Sequence, residues 1–159
     1  MEASRLTVLQ LLREYSWDKE SWFLPLASAI GGITSEEASW RPPGGGNTIW
    51  QTLNHLNFYN ARILERLKGR TPAPLSVTNT ETFGEPGDPN DAAGWQETVR
   101  RARQIAEDIR EALNGITEAE LDNDGLGEAL TAWVMHDAYH TGQIVLLRKM
   151  QGTWPAERE

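Results

Sequence analysis

Three histidines are the residues of this chain whose type and spacing could do chemistry. His136 and His140 lie four positions apart in the segment HDAYHTGQI, and His55, the only other histidine, lies in NTIWQTLNHL. On a helix, positions four apart share one face and lie about 6 Å apart along the axis, so one helix can offer both imidazoles to one metal ion. The alternatives are core histidines satisfied by hydrogen bonds, or a chance pair.

An open metal site is the chemistry that these residues would support if all three meet. Three neutral imidazoles leave free positions on a bound dication, as in catalytic rather than structural sites. Such an ion lowers the pKa of a bound water or holds a thiol as its thiolate. Zinc suits these ligands, but imidazoles also bind nickel, copper and ferrous iron. The chain has no cysteine, which excludes thiolate ligands and disulfides.

Four long amphipathic helices are predicted to position the histidines. Apolar residues recur at three- and four-residue spacing, and Pro25 is expected to kink the first helix or mark its last turns. Four such helices and no convincing strand predict an all-α fold, an antiparallel four-helix bundle. The predicted helices cover residues 4–30, 48–68, 91–114 and 127–151.

Local signals mark where several helices begin and end. Asn47 is the predicted N-cap of the second helix, and Pro155 follows the end of the fourth. Two capping-box patterns predict short helical turns, at Thr34 and at Thr117. Glycines are expected to end the helices, at Gly69, Gly115 and Gly152.

The second and fourth predicted helices differ in where their histidines lie relative to the apolar face. His136 and His140 fall in the middle of the apolar face of the fourth helix. His55 lies roughly 120° from the centre of the apolar stripe of the second helix, beside Thr52 and Tyr59. It could therefore face a central pocket or be partly exposed.

A long connection separates the second and third predicted helices. Residues 70–90 contain four prolines and two glycines. A stretch of this length without secondary structure is uncommon in a small domain and is usually a functional lid or a disordered linker. We expect it to lie over or beside the mouth of the site.

Length and charge limit the class of protein. A chain of 159 residues is enough for one domain, predicted to span 1–159. No apolar run approaches the roughly 20 residues of a membrane span, and the first residues lack the features of a secretory signal, so the cytoplasm is the expected location. A net charge of −8 disfavours binding to nucleic acid.

The histidine segments HDAYHTGQI and NTIWQTLNHL, with ITSEEASWRPPGGGNTIW and VLLRKMQGTWP, resemble the DinB/YfiT-like family. The resemblance implies a four-helix bundle, often a homodimer, with a metal triad at His55, His136 and His140. Zinc or nickel is the expected metal. Relatives with assigned chemistry are metal-dependent enzymes that use low-molecular-weight thiols, namely S-transferases acting with bacillithiol or mycothiol and a maleylpyruvate isomerase.

Four other residues are candidates for the surroundings of the metal or for a pocket beside it. Asp137 follows His136 and is either a surface or interface carboxylate or a partner that holds an imidazole. Gln143 lies on the histidine face and could bind a ligand or a nearby water. Tyr59 and Trp133 could line a pocket, although aromatic packing is the ordinary role of both.

Two arginines four positions apart could receive the carboxylates of a thiol. Arg62 and Arg66 lie on the second predicted helix. Their ordinary role would be a solvated helix face or a pairing with Glu65.

Three functions remain open at this point. The first is a metal-dependent S-transferase that joins a low-molecular-weight thiol to a small-molecule electrophile. The second is a metal-binding bundle without catalysis, and the third is a metal-dependent hydrolase. A basic pocket would favour the first, and a carboxylate within reach of a metal-bound water would favour the third.

Overall fold

The computed structural model describes residues 3–154, and within this range the chain forms helices, turns and loops but no strand. The prediction of an all-α fold is therefore confirmed. None of the helices in this range combines the length and the apolar composition needed to cross a bilayer. In chain order the helices are α1 (Arg5–Trp17), α2 (Leu26–Ala29), α3 (Ser35–Ser39), α4 (Ile49–Leu67), α5 (Ala92–Gly115) and α6 (Leu126–Gln151).

The first helix is shorter than predicted, and the prediction of one helix over residues 4–30 was wrong. Helix α1 ends at Trp17, and the backbone amide of Asp18 makes the last helical bond, to the carbonyl of Glu14. Polar residues follow Trp17, so the next turn would have no apolar face to bury, and most helical stability in proteins comes from such packing. Pro25 is the N-cap of α2 rather than a kink within a long helix.

The other helix ends follow the predicted signals within one or two residues. The N-cap of α4 is Thr48 rather than Asn47, because the Thr48 hydroxyl accepts from the amide of Gln51 and the Gln51 side chain accepts from the amide of Thr48. The capping boxes at Thr34 and Thr117 are both present. Helix α6 ends at Gly152, and Pro155 lies outside the described residues.

Helices α4 and α6 pack against each other in opposite directions. The His55 ring on α4 meets the His136 ring on α6, and further along α4 the Arg66 guanidinium reaches the carbonyl of Asp124, just before α6 begins. Residue numbers therefore increase along α4 in the direction in which they decrease along α6. This antiparallel contact brings the histidine of α4 level with the pair on α6.

Helices α4 and α5 instead run parallel, so this pair departs from the predicted antiparallel arrangement. The rings of Trp50 and Trp95 lie 5.5 Å apart near the start of both helices. Further along, the Asn57 amide donates to the carbonyl of Thr98. The connection between them must therefore return along the bundle from the end of α4 to the start of α5, which explains its length.

The connecting segment, residues 68–91, follows α4 closely in its second half. Side chains of α4 hold its backbone: Asn54 donates to the carbonyl of Phe83 at 3.2 Å, and Gln51 donates to that of Gly84 at 2.9 Å. Gly87 lies so close to the Trp50 indole that a Cβ there would come within 2.3 Å of it. A short 3-10 helix, Thr80–Phe83, interrupts the segment beside His55. This half of the segment is a fixed wall of the bundle.

Two apolar clusters form the core, one towards each end of the bundle. The first contains Leu53 and Leu56 of α4 and Ile144 of α6. The second contains Leu64 of α4 and Trp133 of α6. Along α6, His136 and His140 fall between the two clusters, whereas His55 on α4 lies within the first cluster, between Leu53 and Leu56. The polar centre of the bundle therefore lies beside the first cluster, where α6 passes from one cluster to the other.

Candidate metal centre

The three histidines converge through their Nε2 atoms. His136 Nε2 lies 3.0 Å from His55 Nε2 and 3.1 Å from His140 Nε2. One ring nitrogen from each residue lies within 4.8 Å of the others. Two nitrogens bound to one zinc ion at about 2.0–2.1 Å would lie roughly 3 Å apart. The group could therefore hold a divalent metal ion with small adjustments.

The connecting segment fixes the ring of His55 and its proton. The Thr82 hydroxyl donates to the carbonyl of Asn79 at 2.5 Å, so it must accept the bond that joins it to His55 Nδ1 at 2.6 Å. Nδ1 therefore carries the proton, and Nε2 presents its lone pair to the centre. The Phe83 ring stacks on the imidazole, with centroids 4.0 Å apart and an angle of 10° between the planes. His55 is 2% exposed and is not the partly exposed residue that its helix position allowed.

Gln143 orients the ring of His140 in the same way. Its amide oxygen lies 2.7 Å from His140 Nδ1, and because an amide oxygen only accepts, Nδ1 carries the proton. The Nε2 lone pair of His140 then points to His136. The polar side chain on the histidine face thus holds an imidazole through the nitrogen opposite the site, as is usual around metal-binding histidines.

The resulting donor set fits a cation better than it fits a hydrogen-bonded cluster. Lone pairs of His55 and His140 both face Nε2 of His136. A proton on that atom could satisfy only one of them, and the other contact would set two lone pairs against each other. A divalent ion between the three nitrogens would accept all three lone pairs.

Burial keeps the three imidazoles uncharged at neutral pH. Burial, together with the charges of His140 and His136, lowers the pKa of His55 to about 4. Burial also lowers the pKa of His136 and that of His140, although the bond to Gln143 opposes it at His140. Neutral imidazole is the form that binds a metal.

Asp137 lies in the core and is not a surface carboxylate. It is completely buried, and its Oδ2 accepts from Arg13 at 2.8 Å and from Asn60 at 3.2 Å. Neither bond goes to an imidazole, because position 137 is turned about 100° from His136 and faces α1. Burial raises the pKa of Asp137, and the Arg13 guanidinium acts against this rise.

Trp133 belongs both to this buried polar group and to the wall of a cleft. Its indole Nε1 donates to Asn60 Oδ1 at 2.7 Å, and the Arg13 guanidinium lies 4.8 Å from the centre of its ring. Neither Arg13 nor Asn60 was predicted from the sequence to lie near the site. The available signal was that Arg13 falls on the apolar face of its helix, four positions after the buried Leu9.

A cleft of about 650 Å³ opens beside His136. Tyr59 lines it, with its ring centre 4.9 Å from that of His55 and 5.6 Å from that of His136, and its hydroxyl donates to Asn79 Oδ1 at 3.1 Å. No Asp or Glu is among the described lining residues. These are Tyr59, Arg62, Ile63, Arg66, Pro72, Asn79, Ala129, Ala132, Trp133 and His136.

The two arginines of the cleft do not pair with Glu65. Arg62 donates to the carbonyl of Ala73 at 2.8 Å, and Arg66 donates to that of Asp124 at 2.7 Å. Glu65 binds Arg70 instead, through two bonds of 2.6 Å. Of the two ordinary roles expected for Arg62 and Arg66, the pairing with Glu65 is therefore absent.

Thr82 and Phe83 are the contacts of the site that the sequence analysis missed altogether. Both lie in the 3-10 helix of the connecting segment, 27 and 28 positions after His55. The only sequence signal was the expectation that this segment lies beside the site. Nothing in its composition distinguished these two residues from their neighbours.

Fold and site together define an all-α bundle in which histidines from two antiparallel helices could hold a divalent metal ion. The sequence model of the DinB superfamily matches residues 25–144. The chain therefore belongs to the DinB superfamily, and the resemblance found in the histidine segments is confirmed. No curated protein and no solved structure gives a significant match to the chain.

Proposed function

We propose that the protein is a divalent-metal-dependent S-transferase that joins a low-molecular-weight thiol to a small-molecule electrophile. The observation that carries the proposal is the cleft beside His136, which has room for a ligand and no carboxylate among its described lining residues. A hydrolase of this kind would need a base near the reacting water. A thiol transferase needs space for a sulfur and its substituents.

The reaction proposed is a substitution or an addition at carbon. The thiol loses its proton to water, and its sulfur forms a bond to the electrophilic carbon. A leaving group departs with the electron pair, or an activated double bond takes up the pair and then a proton. A divalent ion, with zinc or nickel expected, would lower the pKa of the thiol and favour the thiolate as the attacking group.

The residues of the chain would bind and orient the reactants. His55, His136 and His140 would hold the ion through their Nε2 atoms, while Thr82 and Gln143 keep the Nδ1 protons away from it. Apolar and aromatic side chains of the cleft would exclude water around the electrophile, with Tyr59 and Trp133 nearest to the histidines.

For the hydrolase alternative, no carboxylate base is present among the described lining residues of the cleft. Asp137 is next to His136 in sequence, but its carboxylate is bound to Arg13 in the core. The alternative of a metal-binding bundle without catalysis leaves the cleft without a role. A metal-loaded protein that conjugates no thiol would favour the hydrolase or the metal-binding bundle without catalysis.

We also propose that the protein works as a homodimer in the cytoplasm and binds no nucleic acid. Helix α6 carries apolar side chains on its outer face as well as its inner face, at spacings of four and seven residues. Contiguous exposed apolar surface on a helix is typical of an interface. The exposed fractions are 69% for Met135, 65% for Tyr139, 57% for Leu146 and 50% for Met150.

The test combines metal analysis with a conjugation assay. Wild-type protein should contain close to one divalent ion per chain and should conjugate a fluorogenic alkylating agent with at least one of bacillithiol, glutathione and mycothiol. His136→Ala and His140→Ala should lose most of the metal and the turnover, and Arg103→Gln, which changes an exposed residue of α5, should retain both. Metal retained by the double histidine variant would refute the site, and a metal-loaded wild type that conjugates no thiol would refute the transferase.

A further inference from the structure

We propose that Arg62 and Arg66 form an anion-binding site that selects a thiol carrying carboxylates. This inference rests on the proposed function and specifies its thiol. Both arginines line the cleft that His136 borders. They lie on α4, the helix that also carries His55.

Among the described residues, no carboxylate is bonded to either guanidinium group, although Arg66 also lines a second cavity with Glu120 and Asp124. Within residues 3–154, Arg62 and Arg66 each bond to a backbone carbonyl and form no ion pair. A guanidinium has five N–H donors, so each retains four for a ligand or solvent. Arg70 differs from these two residues, because its guanidinium already donates two bonds to the carboxylate of Glu65. In a chain of net charge −8, two uncompensated cations in one cleft favour an anionic ligand.

The partial burial of the pair favours a directional bond to such a ligand. Arg62 and Arg66 are half-buried, and their bonds to the carbonyls of Ala73 and Asp124 restrict where the side chains can point. A carboxylate can accept two parallel bonds from one guanidinium. Such a pair is stronger and more specific than the contact of an exposed lysine with the same group.

The position of the pair along α4 sets the size of the ligand. Arg62 is seven residues after His55, and Arg66 is eleven residues after it. At 1.5 Å per residue these spacings correspond to about 10 and 16 Å along the axis, and the bond of Arg66 to the carbonyl of Asp124 keeps it at the far end. A thiol with its sulfur at the three nitrogens would therefore place one acidic group about 10 Å away, near Arg62, and could reach Arg66 only with a group further out.

The stretch between the two ends of the cleft suits the middle of such a molecule. Ile63, Ala132 and Trp133 supply apolar surface there, and Tyr59 and Asn79 supply polar atoms. Bacillithiol and glutathione each carry two carboxylates at a distance from the sulfur. Mycothiol carries a neutral inositol instead. The arginines should therefore favour acidic thiols over mycothiol.

The experiment compares thiols and variants in the metal-loaded protein. The variants are Arg62→Gln and Arg66→Gln, with Arg103→Gln on the exposed face of α5 as a charge-matched control. We expect each cleft variant to raise the KM for bacillithiol or glutathione about tenfold, the typical effect of losing a charge-assisted bond. The kcat should change little, and the KM for mycothiol should stay within about twofold. A structural effect on the cleft would impair all thiols alike, and Arg62→Lys should recover part of the preference.

Binding without turnover separates this inference from the proposed function. S-methylglutathione has both carboxylates but no free thiol, and its affinity for metal-free protein can be measured by calorimetry. Weaker binding to the Arg62→Gln and Arg66→Gln variants than to wild type and Arg103→Gln would support the anion site, even if no thiol is conjugated. Equal binding to all four proteins, or a thiol preference that survives loss of both arginines, would overturn the inference and leave the transferase standing.

Discussion

The substitution Thr82→Val tests whether the connecting segment controls the metal ligand His55. The Thr82 side chain is buried, and its hydroxyl accepts the His55 Nδ1 proton at 2.6 Å. Valine has nearly the same shape but offers a methyl group in place of the acceptor. The imidazole must then leave a buried N–H unbonded, which costs about 1–3 kcal/mol, or move the proton to Nε2, where it blocks the lone pair that should bind the ion.

An unbonded Nδ1–H of His55 and a proton moved to its Nε2 should both weaken metal binding. Loss of a hydrogen-bond partner behind a metal-binding histidine typically lowers metal affinity by about 10- to 100-fold, which corresponds to roughly 1.4–2.7 kcal/mol. This range overlaps the cost of the unbonded N–H, so the two routes predict a similar loss. Thr82→Ser keeps the hydroxyl and should stay close to wild type.

Competition with a chromophoric chelator at neutral pH measures the affinity for zinc and for nickel. Thr78→Val is the matched control, because Thr78 lies in the same segment but is exposed, and its hydroxyl accepts from the amide of Glu81 rather than from a histidine. Thermal unfolding of the metal-free proteins shows whether the fold is retained. Equal metal affinity in Thr82→Val and wild type would show that the Thr82 hydroxyl does not position the proton of His55.

Three further predictions concern stability and assembly. In metal-free protein the free energy of unfolding should fall as the pH is lowered from 6.5 to about 4, because unfolded His55 binds a proton in that window and folded His55 does not. Denaturant titrations at several pH values measure this free energy. A free energy that does not change with pH would contradict the lowered pKa of His55. Arg13→Met should cost about 3–5 kcal/mol, because it leaves Asp137 buried without its cation, and adding Asp137→Leu should recover much of the loss in the same titrations. Tyr139→Glu or Leu146→Glu should convert the proposed dimer to monomer in sedimentation experiments, and a wild type that is already monomeric would remove the basis for that proposal.

The sequence predicted those parts of the fold that depend on local patterns. Helices α4, α5 and α6 begin and end within one or two residues of the expected positions, because capping residues, glycines and apolar spacing all act over a few neighbours. The prediction of the first helix was wrong because it overlooked local signals that end a helix. Its pattern was extended through residues 18–25, where the polar residues after Trp17 and the proline at position 25 do not continue a helix.

The surroundings of the site depend on contacts between distant residues, and these were not predictable from spacing. The helical wheel placed His55 off the apolar stripe of its helix, and it is buried because Thr82 and Phe83 of the connecting segment cover it. Asp137 was interpreted as a surface or interface carboxylate because its neighbours gave no sign of a partner. That partner, Arg13, lies 124 positions away in sequence. A pairing over such a distance leaves no periodic signal.

The parallel course of α4 and α5 connects the topology of the bundle to its candidate metal centre. Helix α4 has 19 residues and is about 28 Å long at 1.5 Å per residue. A link between the end of α4 and the start of α5 must cover about this distance, which needs at least eight or nine extended residues. The path runs along α4 past His55, so a segment required for connectivity is also placed to cover one face of the imidazole and accept its proton. The length of residues 68–91 beyond that minimum supplies the 3-10 helix that carries Thr82 and Phe83, and it brings Pro72 and Asn79 to the cleft.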